Sequence, residues 1–196
     1  MTRTGPGVYD VAVVGAGVVG CAIARRLTLD GASVVVLDRA GDVGDGTSKA
    51  NTAILHTGFD TVPGTLESRL VARGHTLLAA YAEATGIAVE RCGALLVAWD
   101  DEQEASLPGL AAKAAANGCT DADVVDATEV RRREPQLGPG HRGGLLVPGE
   151  WAVDPWSVSL AFATEAVAPV TGVASRSSAP RCGPGGWSTP PASGPT

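Results

Sequence analysis

The chain has 196 residues, enough for one domain or two small ones, and its 44% hydrophobic and 18% charged content suits a folded core in water. A net charge of −6 with no basic stripe argues against nucleic acid as a partner. No apolar run approaches the ~20 residues of a membrane helix, and residues 1–7 lack the apolar stretch of a signal peptide. A cytoplasmic location follows as the expectation, free or peripheral to a membrane. The four cysteines, Cys21, Cys92, Cys119 and Cys182, have no CxxC spacing. They are read as reduced thiols, Cys21 packed in the first helix, and no metal is expected.

In chain order, Tyr9 to Val14 is a short apolar run that predicts a strand, followed at once by Gly15-Ala16-Gly17-Val18-Val19-Gly20. A helical stretch runs from Cys21 to about Leu29, and a second apolar run, Ala32 to Leu37, ends on Asp38. Strand, spaced glycines, helix, strand and acid in this order make a dinucleotide-binding βαβ unit. Gly15 permits the tight turn off the strand. Gly17 has no side chain to hold a pyrophosphate away from the backbone, and Gly20 lets the helix pack close to the sheet. The helix N-terminus offers N–H groups and the positive end of its dipole to phosphates. Asp38, at the tip of the second strand, is placed to accept ribose hydroxyls. Glycine spacing alone is weak in a chain with 26 glycines; the ordered set carries the reading.

After Asp38 comes a polar, glycine-rich loop, Gly41 to Asn51, rather than another strand–helix repeat. A short segment, Thr52 to Gly58, precedes a helix from Thr65 to about Thr85, with Leu66, Leu70, Leu77, Leu78 and Tyr81 on one face and Gly86 closing the end. Ala88–Cys92 and Ala94–Trp99 read as strands about Gly93. Asp101 to Asn117 is helical, with Pro108-Gly109 expected to interrupt or restart it. Val124-Val125 is a brief strand. Asp126 caps a short helix with Glu129 completing a capping box, and the helix ends at Glu134-Pro135. Gly144 to Pro148 is a further strand, and Asp154-Pro155 starts a helix that runs to about Val167.

From Ala168 to Thr196 there is no Leu, Ile or Phe, and Pro, Gly and Ser dominate. Such a stretch buries too little apolar surface to offset its ordering entropy and is expected to be disordered. Arginine far outnumbers lysine, which occurs only as Lys49 and Lys113, suggesting a GC-rich gene. The tail has the composition of such a gene read out of frame. That reading is preferred to a natural linker.

Several segments occur together in order: Tyr9 to Arg39, Thr47-Ser48-Lys49-Ala50-Asn51, Ile54-Leu55-His56-Thr57-Gly58, Arg91 to Ala98, Arg133-Glu134-Pro135 and Val153-Asp154-Pro155. This pattern resembles the FAD-dependent oxidoreductases of the D-amino-acid-oxidase-like class, over roughly residues 8 to 167. Within the class it is most similar to the glycerol-3-phosphate dehydrogenase and L-2-hydroxyglutarate dehydrogenase branches, and Pro63 to Leu70 resembles the second in particular. The resemblance implies an α/β fold: an incomplete Rossmann-like FAD-binding domain with part of an inserted α+β substrate domain. Residues 8–85 would be the N-terminal part of the FAD-binding domain, 86–150 part of the substrate domain, 151–167 a helix returning to the first, and 168–196 the tail. Family members are substantially longer and carry most catalytic residues in a second half, which puts the activity of this chain alone in question.

The resemblance also implies site residues. Gly15, Gly17 and Gly20 would hold the pyrophosphate of FAD, Asp38 its ribose, and Arg39 would lie beside the adenine edge. Thr47, Ser48 and Asn51 would face phosphate and ribityl oxygens; an ordinary polar loop is the other reading. His56 is the best titratable candidate near the isoalloxazine ring, as substrate-orienting group, base or covalent attachment point, against a packed core histidine. His75 and His141 are read as structural or solvated, Arg131-Arg132-Arg133 as a solvated face rather than an anion clamp, and Trp99, Trp151 and Trp156 as packing residues. The implied function is oxidation of a hydroxyl-bearing small molecule, glycerol 3-phosphate or a 2-hydroxy acid such as L-2-hydroxyglutarate, by hydride transfer to flavin. The electron acceptor stays open among oxygen, a quinone and a partner protein. Two other readings stand beside it: a nicotinamide-linked dehydrogenase, against which the 47–51 loop argues, and an inactive nucleotide-binding remnant.

Overall fold

The structure is a computed structural model that describes residues 8–167. The expectations for the 168–196 tail and for Cys182 lie outside these residues. In chain order the elements are β1 (Val11–Val14), α1 (Val18–Leu29), β2 (Val34–Leu37), β3 (Ile54–Leu55), α2 (Leu66–Thr85), β4 (Val89–Glu90), β5 (Ala94–Ala98), α3 (Asp101–Ala116), β6 (Asp123–Asp126), α4 (Ala127–Arg133), β7 (Gly143–Val147), β8 (Trp151–Val153) and α5 (Pro155–Val167). They divide into two compact units, residues 8–52 with 155–167, and Ala53–Asp154. This division groups α2 with the second unit, whereas the sequence boundary at 85/86 groups it with the first.

In the first unit, β1 and β2 pair in parallel, from Val11 opposite Val34 to Val14 opposite Leu37, with α1 as the crossover. Helix α1 starts at Val18, one turn before the expected Cys21, because extended Gly17 already serves as its N-cap. Cys21 and Ala24, three residues apart and so on one face, are fully buried. They pack with Val13, Val34 and Val36 beneath and with Phe162, Ala163 and Ala166 of α5. Arg25 ties the helices together, its Nε 2.5 Å from a Glu165 carboxylate oxygen and its guanidinium 5.8 Å from the Phe162 ring centre. Pro155 opens α5, where its missing N–H costs no intrahelical bond.

The second unit holds two antiparallel sheets, ordered β3-β8-β4 and β5-β7-β6. β7 is central and nearly all buried, and Ala98, Leu107, Leu145 and Val147 form the core beneath α3. Strand β8 is a departure from the sequence reading, which has no strand at Trp151–Val153; it nonetheless forms the middle of its sheet. Helix α2 begins and ends as expected, with the Thr65 hydroxyl accepting the Ser68 N–H at 3.2 Å and Gly86 left-handed at φ 72. Its expected apolar face is split: Leu66, Leu70 and Leu77 are exposed and Leu78 and Tyr81 half-buried, while Ser68 and Ala82 are buried.

Helix α3 corrects the expected break at Pro108: it is continuous. Proline removes one backbone bond, but Pro108 faces solvent, and Leu107 and Ala114 are buried on either side of it, with Leu110 and Ala111 against the core. Packing holds the helix through the defect. Helix α4 forms only half of the expected capping box. Asp126 accepts the Glu129 N–H at 2.8 Å, but the Glu129 carboxylate pairs with Arg132 and Arg133. The basic run is thus partly neutralised within its own helix, and Arg131 donates to the Leu137 carbonyl.

The two ends of the second unit meet. The Ala53 carbonyl accepts the Val153 N–H at 2.8 Å, and Ile54 lies opposite Ala152. Ala53 is the one non-glycine residue with positive φ, 60°, among the described residues. No helix among the described residues is long and apolar enough to cross a membrane.

Candidate functional site

The glycine turn of the first unit is built by backbone geometry. Gly15 adopts φ 104, which an L side chain resists, and its N–H donates to the Leu37 carbonyl at 2.7 Å, joining the two strand tips. A Cβ on Gly20 would collide with the Gly15 carbonyl oxygen, so only glycine lets α1 leave the turn at this angle. Gly17 caps α1 without any side-chain hydrogen bond, and the first turn carries no acid. Backbone donors at a positive dipole end, with no acid in the helix's own first turn, suit an anionic group. The glycine cradle therefore fits a dinucleotide pyrophosphate.

Asp38 closes this turn from the other side. One carboxylate oxygen accepts the Ala16 N–H at 2.6 Å and the other accepts the Ala40 N–H at 2.7 Å. These bonds, Ala16 first, hold its carboxyl below the usual carboxylate range, with Arg39 adding to them. Each oxygen keeps a further acceptor site, so the engaged carboxylate can still receive hydroxyls. Arg39 is exposed. Behind the turn, Cys21 donates its thiol to the Ala16 carbonyl at 3.3 Å; burial, and then the Asp38 charge, push that thiol up. It is a packing group rather than a nucleophile.

The polar loop after β2 folds back onto the turn. Gly44 N–H donates to the Ala16 carbonyl at 2.8 Å, and Val43 is buried in the first unit's core. Ser48 Oγ accepts the Val18 N–H at 2.9 Å, and a Cβ on Gly17 would come within 3.1 Å of that oxygen. One of the helix's first-turn donors is thus taken by the loop itself. Asn51 donates to the Ser48 carbonyl at 2.8 Å, while Thr47 is exposed. Of the loop residues singled out in the sequence, Ser48 is the one brought against the glycine turn.

His56 belongs to the second unit, and sequence reasoning missed its partner. His56 Nδ1 lies 3.0 Å from Glu150 Oε2. Glu150 is only 2% exposed although it is a carboxylate. Its Oε1 accepts both the backbone N–H and the hydroxyl of Thr57, each at 2.6 Å. The two Thr57 donors, with His56 Nδ1 against the other oxygen, satisfy a carboxyl group that burial would otherwise leave unpaired. The His56 side chain is 55% exposed, which overturns the packed-core alternative for that histidine.

Nearby side chains fix the turn that carries Glu150. His75 Nε2 donates to the Gly149 carbonyl at 2.9 Å, the His75 ring sits 5.0 Å from that of Trp151, and Trp151 Nε1 donates to the Pro148 carbonyl at 3.1 Å. Arg91 lies over the Trp151 ring at 4.7 Å. His75 and Trp151 are structural here, as expected. Trp99 and Trp156, expected to pack, leave nearly half their surface exposed. Among the described residues no cluster of His, Cys, Asp and Glu could hold a metal ion.

Comparison with known proteins adds to this geometry. The sequence model of the family described as "FAD dependent oxidoreductase" (DAO) matches residues 10–174. The chain is 33% identical over 159 residues to a glycerol 3-phosphate dehydrogenase of Caloramator mitchellensis, covering 81% of this chain and 33% of that protein. It is 30% identical over 161 residues to the mitochondrial L-2-hydroxyglutarate dehydrogenase of Homo sapiens, covering 80% of this chain and 34% of that one. Among solved structures it resembles the dithionite-reduced L-alpha-glycerophosphate oxidase of Mycoplasma pneumoniae with FAD bound. The TM-score is 0.74 at 29% identity, over 81% of this chain and 42% of that one. The chain thus spans about a third of the length of the curated relatives it matches.

Proposed function

Because the chain belongs to the DAO family of FAD-dependent oxidoreductases, we propose that it binds FAD and serves the oxidation of a hydroxyl-bearing small molecule, either glycerol 3-phosphate or a 2-hydroxy acid such as L-2-hydroxyglutarate. Membership in this family displaces the nicotinamide-linked alternative. The observation that carries the reading is the closed glycine turn, with Asp38 on the Ala16 N–H and Ser48 on the Val18 N–H. The names of the relatives supply the substrate class.

In this proposal the first unit is the flavin-binding part and the second the substrate part. Gly15, Gly17 and Gly20 hold the pyrophosphate, Asp38 accepts the ribose hydroxyls, and Arg39 borders the adenine. Thr47, Ser48 and Asn51 line the phosphate and ribityl side. When bound, FAD supplies the two-electron acceptor for hydride leaving the substrate carbon. His56 takes the hydroxyl proton as that carbon becomes a carbonyl, so the alcohol loses one hydride and one proton in all.

Anaerobic titration tests this. The purified chain is loaded with FAD, followed by the change in flavin absorbance, and then given glycerol 3-phosphate or L-2-hydroxyglutarate. Bleaching by one of them supports the reading and names the substrate. Failure to bind FAD overturns the cofactor assignment, and FAD binding without bleaching by either compound overturns the catalytic one in favour of a nucleotide-binding remnant.

A further inference from the structure

Glu150 sits in a turn built to hold it. Its N–H donates to the Val147 carbonyl at 3.2 Å, Trp151 Nε1 bonds the Pro148 carbonyl, and His75 bonds the Gly149 carbonyl. A Cβ on Gly149 would come within 2.9 Å of the Thr57 methyl, so glycine there lets Thr57 reach the carboxylate. None of these contacts involves His56. The carboxylate is placed by the framework, and one of its oxygens is committed to Thr57. The other faces His56 Nδ1.

We propose that Glu150 is a positioning residue for His56, fixing its imidazole with the proton on Nδ1 and leaving Nε2 as the bare acceptor. A neutral imidazole carries one N–H, and a carboxylate accepts but cannot donate. The nitrogen facing Glu150 must therefore be the protonated one. This inference rests on the proposed function in one respect: Nε2 is then the atom that receives the hydroxyl proton of the substrate. Because the carboxylate is held before substrate arrives, the acceptor nitrogen needs no tautomer change at the moment of reaction.

The substitution Glu150→Gln makes a sharp test because the Thr57 N–H can only donate. It demands the amide oxygen of the glutamine at the Oε1 position. The amide NH2 then faces His56 Nδ1 and donates to it, which moves the histidine proton to Nε2. Size and the Thr57 contacts are kept while the tautomer is inverted.

The full 196-residue chain, with 15N-labelled histidine, is examined by long-range 1H–15N NMR at about pH 9, well above the ordinary histidine value of about 6.5. It has three histidines, so His75→Gln and His141→Gln assign the His56 signals. The expected result is the Nδ1–H tautomer in the unmodified chain and Nε2–H in Glu150→Gln. The Nε2–H tautomer in the unmodified chain overturns the proposal whether or not the variant folds. So does a tautomer unaffected by Glu150→Gln. In FAD-loaded protein, Glu150→Gln should slow substrate-dependent bleaching on the order of 10²-fold with KM little changed; inversion of the tautomer without loss of rate overturns the positioning role. If no substrate bleaches the unmodified protein, the proposed function fails while the tautomer measurement still decides the Glu150–His56 relationship.

Discussion

The Asp38 carboxylate reaches back across 22 residues of chain to accept the Ala16 N–H at 2.6 Å, tying the tip of β2 to the glycine turn. Both of its oxygens accept backbone N–H groups. Asparagine has one acceptor and one donor end, so Asp38→Asn must set an NH2 against a backbone N–H. The turn opens on that side and the charge is lost. FAD affinity in a flavin-fluorescence titration should weaken on the order of 10-fold or more. An unchanged Kd would remove Asp38 from the binding site.

Acid should loosen the first unit through the same residue. The folded carboxyl lies below its unfolded value of about 3.9, so its stabilising contribution is present above that value. It is lost as pH falls through the lower folded value. Urea midpoints of the FAD-free chain should therefore fall as pH drops below about 4, and Asp38→Asn should flatten that fall. Equal slopes for the two chains would contradict this.

Gly20→Ala tests the packing of α1 onto the turn. The added methyl meets the Gly15 carbonyl oxygen, a backbone atom that cannot step aside. A loss of about 1–3 kcal/mol is expected in chemical denaturation, before any cofactor is added. Gly31→Ala makes no clash with other atoms, yet Gly31 has φ 89, so it would report backbone strain without collision.

Glu129 in α4 should resist protonation. Hydrogen bonds from Arg132 and then Arg133 pull its carboxyl down to about 2. A 13C carboxyl titration should show this residue ionised through the range where other glutamates have titrated. Arg132→Ala should move the transition upward; if it stays in place, the pairing does not persist in solution.

The first unit leaves apolar surface uncovered. Val14 is 86% and Val19 68% exposed, and among the described residues β1 is paired on the β2 side alone. Unpaired strand edges beside exposed apolar side chains favour self-association. The chain should elute from size exclusion as concentration-dependent assemblies, and Val14→Lys with Val19→Glu should shift it toward monomer. A monodisperse unmodified chain would refute this.

The βαβ unit was legible because it is local: a valine run, glycines at fixed offsets and an acid all lie within one short stretch. The start of α1 lies a turn before Cys21 because Val18, Val19 and Gly20, which read as part of the glycine run, are already helical. The α2 ends were readable from Thr65 and Gly86, since caps are single-residue signals, but the side that packs was not. Its most buried residues, Ser68 and Ala82, are small and carry little hydrophobic signal. Pro108 signals a break by propensity alone, whereas the core that Leu107, Leu110 and Ala111 join holds α3 through it. Glu150 carries no sequence signal at all. It is a lone acid after Pro148-Gly149, and its meaning comes from Thr57, 93 residues away, and from His56 beside it.

The hydrogen bond between Ala53 and Val153 means that the chain enters and leaves the second unit through adjacent backbone. A segment with abutting ends behaves as an exchangeable cassette: it can be lengthened, shortened or replaced between residues 53 and 154 without rerouting the polypeptide around it.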